Sequence, residues 1–266
     1  MLEYYRLYLP KSKREVKIEI SVPRNRDNIE FDTLYLLDGQ NAFKDSYAAF
    51  GRSIRATKCL SHFARYYDKR IIGVAIHNSE SDLGRINEYS PFVIKNGASD
   101  DWKGQNVKEC YNFCDDFIST IIPFIDSKYN TIKNKNRRFI YGSSLAAVTA
   151  LYLGFKYPDA FNYIGAFSTA SFLYPNEFMK FLNDNKNPDK NIFLYVGGKE
   201  KSDSIYEEKI YLNTSIELKD YFKNNGNRVR LVIDPNGAHN EEAWGNHLFD
   251  LLNFIYFDDE TVIISR

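Results

Sequence analysis

The stretch "RFIYGSSLAAVTALYLGFKYPDAFNYIGAFS", residues 138–168, decides how this chain folds. It opens on an apolar strand, Arg138 to Tyr141, and runs into Gly142-Ser143-Ser144-Leu145-Ala146. A helix over 144–156 follows, stopped near Pro158, and a second strand occupies 162–167. A strand, a tight turn, a helix and another strand make a crossover between parallel strands. The same rhythm extends on both sides. Strands are predicted at 3–9, 14–22, 33–37, 70–77, 191–196 and 228–233. Helices are predicted at 51–66, 106–127, 176–184, 204–225 and 240–256, with a long loop over 78–104. "RIIGVAIH", residues 70–77, is continuously apolar and rich in Ile and Val, as a strand covered on both faces should be. This alternation predicts an α/β fold, a mostly parallel central sheet with helices on both faces. One domain is expected across 1–266, with its core at about 30–257 and no separate cap domain. Ligands in such sheets bind beyond the carboxyl ends of the strands, so the residues to inspect follow each strand.

The first of these is Ser144. Gly142-Ser143-Ser144-Leu145-Ala146 matches the nucleophile elbow Gly-x-Ser-x-Gly, with Ala146 in place of the last glycine. A nucleophile must stand clear of the sheet on a strained turn. Small neighbours let strand and helix approach, and the helix N-terminus favours developing negative charge. Taken alone, the string could equally be a serine helix cap. Its place between an apolar strand and an apolar helix favours the elbow, and with it the α/β-hydrolase fold.

A serine also needs a base. His239 lies in Asp234-Pro235-Asn236-Gly237-Ala238-His239-Asn240, directly after the last predicted strand, where a Gly-containing loop can carry an imidazole over the elbow. His62 and His247 fall on helices and His77 at a strand end, which suits structural roles. The third member should orient the histidine, in the chain order Ser, acid, His. Gly197-Gly198-Lys199-Glu200-Lys201-Ser202-Asp203 follows the strand 191–196 and offers Glu200, with Asp203 as the alternative. Oxyanion donors are expected from the backbone N–H of Leu145 and from that of Gln40, in the loop Leu37-Asp38-Gly39-Gln40-Asn41 after an early strand.

Composition narrows the field. The 35 basic and 35 acidic residues cancel, so no broad positive field is offered to nucleic acid or an anionic membrane. No apolar run approaches the 18 or so residues of a membrane span. Three cysteines, Cys59, Cys110 and Cys114, argue against a disulfide framework and for a reducing cytoplasm. Cys110 and Cys114 stand four apart on a predicted helix and read as small core hydrophobes, with no metal site implied. Tyr89, Trp102 and Phe172 are candidates for a substrate pocket. With 20 Tyr and 20 Phe in the chain, ordinary packing under long loops explains such aromatics equally well.

The strings "YLLDGQNAF", "RINEYSPF", "YVGGKE" and "GAHNEEAW", with residues 141–168, resemble in order and spacing the Putative esterase family. That family includes enterochelin esterases, carbohydrate esterases that release ferulate or acetate, and S-formylglutathione hydrolase (esterase D). The resemblance covers roughly residues 30–255. It implies a serine esterase that hydrolyses a small-molecule carboxylic ester through an acyl-enzyme and needs no cofactor. It further implies a triad of Ser144, Glu200 and His239 with an oxyanion hole at Gln40 and Leu145. Arg85, Glu88 and Tyr89 match the family's Arg-x-x-Glu-Tyr segment, read here as a buried brace beside the site. An acyltransferase using the same acyl-enzyme, or a catalytically silent binding protein on the same fold, are the alternatives.

Overall fold

The computed structural model describes residues 1–24, 29–49, 51–94, 102, 104–200, 209–257 and 262–264. Its described strands form one nine-stranded sheet. Strands β1 (Leu2–Leu9) and β2 (Arg14–Ser21) pair antiparallel, and β2 lies antiparallel on β4 (Ile71–Ile76). From β4 the order runs through β3 (Asp32–Leu36), β5 (Arg138–Ser143), β6 (Tyr163–Phe167), β7 (Asn191–Gly197), β8 (Arg228–Asp234) and β9 (Val262–Ile264), all parallel. The chain leaves β3 outward to β4 and returns to β5 on the other side, so the order reverses between β3 and β5. A crevice forms beyond the carboxyl ends at such a switch point.

Burial explains the strand sequences. Every residue of β3 and β4 is buried, which is why β4 reads as an unbroken apolar run and β3 as apolar from Leu34 on. Side chains alternate between two apolar layers. Tyr35, Val74, Ile140, Ile164 and Leu194 face a layer that includes α5 (Leu145–Lys156). Leu34, Leu36, Phe139, Tyr141, Phe167 and Phe193 face another, shared with α1 (Ala56–Tyr67) and α9 (Leu248–Tyr256). Residues 145–155 of α5 are all buried, so this helix is apolar all round instead of striped.

Four elements depart from expectation. The loop 78–104 contains a short helix, α2 (Gly84–Tyr89). The helix expected at 106–127 is α3 (Val107–Asp116) and α4 (Ile122–Lys128), separated by a π turn at Phe117–Ile121. Pro123, which has no N–H to give, sits in the first turn of α4 just after this widened stretch. The last predicted helix is divided at His247 into α8 (Glu241–Asn246) and α9. Strand β9 was not anticipated. Of the remaining helices, α6 spans Pro175–Asp184 and α7 spans Ile210–Asn224. The expected start of α7 at 204, like Asp203, lies outside the described residues. Cys110 and Cys114 are wholly buried in the core, with their sulfurs 4.0 Å apart.

Candidate active site

Ser144 stands between β5 and α5 with φ 59° and ψ −121°, a conformation that costs a non-glycine residue on the order of 1–3 kcal/mol. Backbone hydrogen bonds hold it there. Ser144 N–H donates to the Phe167 carbonyl at 2.8 Å, and Ala170 N–H donates to the Ser144 carbonyl at 3.3 Å. The turn is tight enough that a Cβ on Gly142 would lie 2.1 Å from the Ala146 carbonyl oxygen, so the first glycine of the motif is sterically required. The last position tolerates Ala146, which is fully buried. Ser143 is the last residue of β5 and is buried, whereas Ser144 is half-exposed.

Glu200 follows β7, and its side chain is wholly buried. One carboxylate oxygen, Oε1, accepts from Gly197 N–H at 2.7 Å and from the Ser168 hydroxyl at 2.5 Å. The other, Oε2, lies 3.0 Å from His239 Nδ1. The loop after β8 thus brings His239 to the acid that follows β7. A tight backbone approach makes this possible, since a Cβ on Gly197 would lie 2.3 Å from the Gly237 carbonyl oxygen and one on Gly237 would meet the Tyr195 hydroxyl at 2.2 Å. The His239 ring is flanked by Tyr211 at 4.4 Å between centroids and by Trp244, edge-on, at 5.0 Å. Among the described residues no hydrogen bond joins the Ser144 hydroxyl to His239. Catalytic hydrogen bonds of this kind commonly tighten only when substrate is bound.

The three other histidines sit elsewhere. His62 is exposed and packs on Tyr66. His77 Nε2 meets Glu19 at 3.0 Å. His247 lies between Asp250, 2.8 Å from Nδ1, and Asp234, 3.4 Å from Nε2. Burial works against a proton on His247, but its bonds to the two carboxylates outweigh that and raise its pKa.

On the other side of Ser144, Gln40 lies in a single 3-10 turn, Gly39–Asn41, directly after β3. The left-handed residue there is Asp38, with φ 52°, not Gly39. Gly39 serves close approach instead, because a Cβ would fall 2.5 Å from Ile76 N. The Asp38 carboxylate accepts from Arg85 Nε at 2.9 Å, Arg85 Nη2 at 2.7 Å and Asn78 Nδ2 at 2.6 Å. Asp38 N–H donates to the Tyr89 hydroxyl at 3.0 Å. Glu88 accepts from Arg14 and from Ser79 N–H, and Thr149 of α5 donates to the Tyr89 carbonyl. Arg85 and Tyr89 thus clamp the Gln40 turn to α2 and α5, while Glu88 ties α2 to β2 and to the loop after β4. Burial opposes the charge on Arg85, yet Asp38 more than offsets this and raises its pKa. Asn41 Nδ2 donates to Glu241 Oε1 at 2.7 Å and ties the turn to α8, while burial pushes the Glu241 carboxyl up. Leu145, the first residue of α5, has an N–H with no acceptor within the helix.

The three expected pocket aromatics fare differently. Tyr89 is a correction: it has no exposed surface and its hydroxyl is engaged by Asp38, so it braces the loop and cannot wall a pocket. Trp102 is half-buried against the apolar core. Phe172 stands edge-on to Tyr211 at 4.9 Å, which in turn flanks His239, so of the three it is the one linked to the histidine. Phe172 also lines a cleft of about 400 Å³ between α6 and α7. Ser168 and Trp244 are absent from the sequence reading, although both lie in strings quoted above. Trp244 Nε1 donates to Ser168 Oγ at 2.8 Å, directly behind Glu200.

The sheet order and the strained serine at the head of α5 define an α/β-hydrolase. The chain belongs to the family described as "Putative esterase", whose profile matches residues 10–255, and it is a carboxylic ester hydrolase. It is 22% identical over 259 residues to the uncharacterized protein YbbA of Bacillus subtilis (strain 168), covering 95% of this chain and 92% of that one. Among solved structures it resembles the BES protein from Bacillus cereus, with a TM-score of 0.73 and 19% identity over 97% of this chain and 95% of that one. It also resembles an IroE-like serine hydrolase from Shewanella oneidensis, with a TM-score of 0.76 and 17% identity over 96% and 79% of the two chains.

Proposed function

We propose that the protein hydrolyses small carboxylic esters through an acyl-enzyme on Ser144. His239 takes the Ser144 proton as the hydroxyl oxygen attacks the ester carbonyl. The tetrahedral oxyanion rests on the backbone N–H groups of Gln40 and Leu145. His239 then protonates the departing alkoxide, and a water activated by the same ring releases the acid. Glu200 holds the ring with its proton on Nδ1, which turns Nε2 toward the reacting atoms.

The observation that carries this reading is the 3.0 Å contact between His239 Nδ1 and a wholly buried Glu200. A buried carboxylate is costly unless paired, and here its partner is a partly exposed imidazole at the crevice. The strained Ser144 supports the same reading. No helix among the described residues is long and apolar enough to cross a membrane, and the free thiols Cys59, Cys110 and Cys114 suit the reducing cytoplasm we assign.

A hydrolysis screen over p-nitrophenyl acyl esters, acetylated sugars, feruloyl esters and trilactone siderophores tests the proposal. Hydrolysis of at least one class is expected, abolished in Ser144→Ala and largely retained in Ser143→Ala. A purified Ser144→Ala protein with full activity would contradict it.

A further inference from the structure

We infer that Ser168 and Trp244 are positioning residues that hold the Glu200 carboxylate in the orientation that engages His239 Nδ1. The inference rests on the triad proposed above and concerns atoms behind it. An indole N–H can only donate, so Trp244 Nε1, 2.8 Å from Ser168 Oγ, makes that hydroxyl an acceptor on one side. The hydroxyl has a single proton, and the bond to Glu200 Oε1 at 2.5 Å receives it. Gly197 N–H donates to the same oxygen at 2.7 Å. Both donors on Oε1 therefore point inward, and that oxygen is an acceptor only. Oε2 is left for His239 Nδ1 at 3.0 Å, where an ionised carboxylate requires an N–H. Trp244 thus sets the direction of the Ser168 hydroxyl, and the two inward donors hold the carboxylate with Oε2 turned to His239 Nδ1.

The surroundings allow no substitute. Ser168 has no exposed surface and the Glu200 side chain none, so bulk solvent does not reach the oxygen that would lose its donor. Ser168 also adopts φ 50°, a left-handed conformation that glycine would accept without strain. A serine kept there at a conformational cost points to its hydroxyl. Trp244 acts twice, since its ring also stands edge-on to the imidazole that its N–H orients at one remove.

The test compares Ser168→Ala and Trp244→Phe, the latter keeping a ring while deleting the donor. Ser168→Ala should lower kcat by about 10–100-fold, the usual range when the outer partner of an oriented group is removed, with KM little changed. Trp244→Phe should cost less, because the Ser168 hydroxyl survives. The His239 Nδ1–H proton resonance should be sharp in the wild type and broadened or lost in Ser168→Ala. In a Glu200→Gln background, Ser168→Ala should add less than about a 2-fold loss, since residues acting through one group are not additive. A folded Ser168→Ala with wild-type kcat and an unchanged Nδ1–H signal would overturn the inference. So would equal losses in the two backgrounds. If Ser168→Ala does not fold, wild-type kcat in Trp244→Phe overturns it. Failure of the triad itself would show differently, as activity persisting in Ser144→Ala.

Discussion

On one flank of Ser144, the Asp38 carboxylate takes two nitrogens of Arg85 and one of Asn78, so both of its oxygens are engaged by fixed donors. On the other flank, Glu200 gives one oxygen to Gly197 and Ser168 and the second to an imidazole. Both carboxylates are buried and both sit at the carboxyl end of the sheet. The first is neutralised by a guanidinium that never loses its proton, and its work is to hold the Gln40 turn still. The second faces an imidazole, which in the mechanism we propose takes up a proton from Ser144 and returns it. In the mechanism we propose, the permanent pair serves the scaffold and the other pair serves the chemistry. The two histidines after β8 repeat the contrast. His247 has a carboxylate at each nitrogen, and His239 has one carboxylate at one nitrogen.

The largest effect should come from the side of Glu200 and His239. His239→Ala is expected to lower kcat by at least about 10⁴-fold, because members of a triad act as a unit. The corresponding variants of His62, His77 and His247 should not. If His247→Ala matched that loss and His239→Ala did not, the contrast between the two histidines would collapse. Glu200→Gln comes next, at roughly 10²–10⁴-fold in kcat, by the tautomer argument. Asp203→Asn, outside the described residues, should cost little activity.

Arg85→Ala probes the permanent side. It leaves Asp38 buried without its guanidinium and should destabilise the protein by about 1–3 kcal/mol in urea unfolding, with a smaller loss of kcat than Glu200→Gln. A variant as stable as the wild type would show that the brace holds nothing. The smallest effect concerns His247, whose folded pKa is raised above 6.5. A raised pKa stabilises the folded state fully below the unfolded value, and that stabilisation is lost as pH rises through the folded value. The Tm advantage of the wild type over His247→Gln should therefore be greatest below about pH 6 and shrink above neutrality. An advantage that grew with pH would reverse the sign of the interaction.

Much of this was legible in the chain. Residues buried on both sheet faces announce themselves as apolar runs, which is why β3, β4 and β5 and the serine after β5 could be placed. Glu200 and His239 were legible from position, one after each of two consecutive strands. Other parts were not. The six residues of α2 carry no periodicity, and what organises them is Asp38, which Arg85 reaches from 47 residues away. Tyr89 suited a pocket wall and a buried brace alike in the sequence, and what decides for the brace is its hydroxyl, committed to the same aspartate. Ser168 gives no pattern at all. A serine after a strand is commonplace, and its significance depends on an indole 76 residues later in the chain.

The central claim is that Ser144 is an activated nucleophile, and covalent labelling tests it most directly. A fluorophosphonate probe should add one phosphonyl group to the wild-type protein, mapped by mass spectrometry to Ser144. Labelling should vanish in Ser144→Ala and fall steeply in His239→Ala. A label on another serine, or undiminished labelling of Ser144→Ala, would contradict the account.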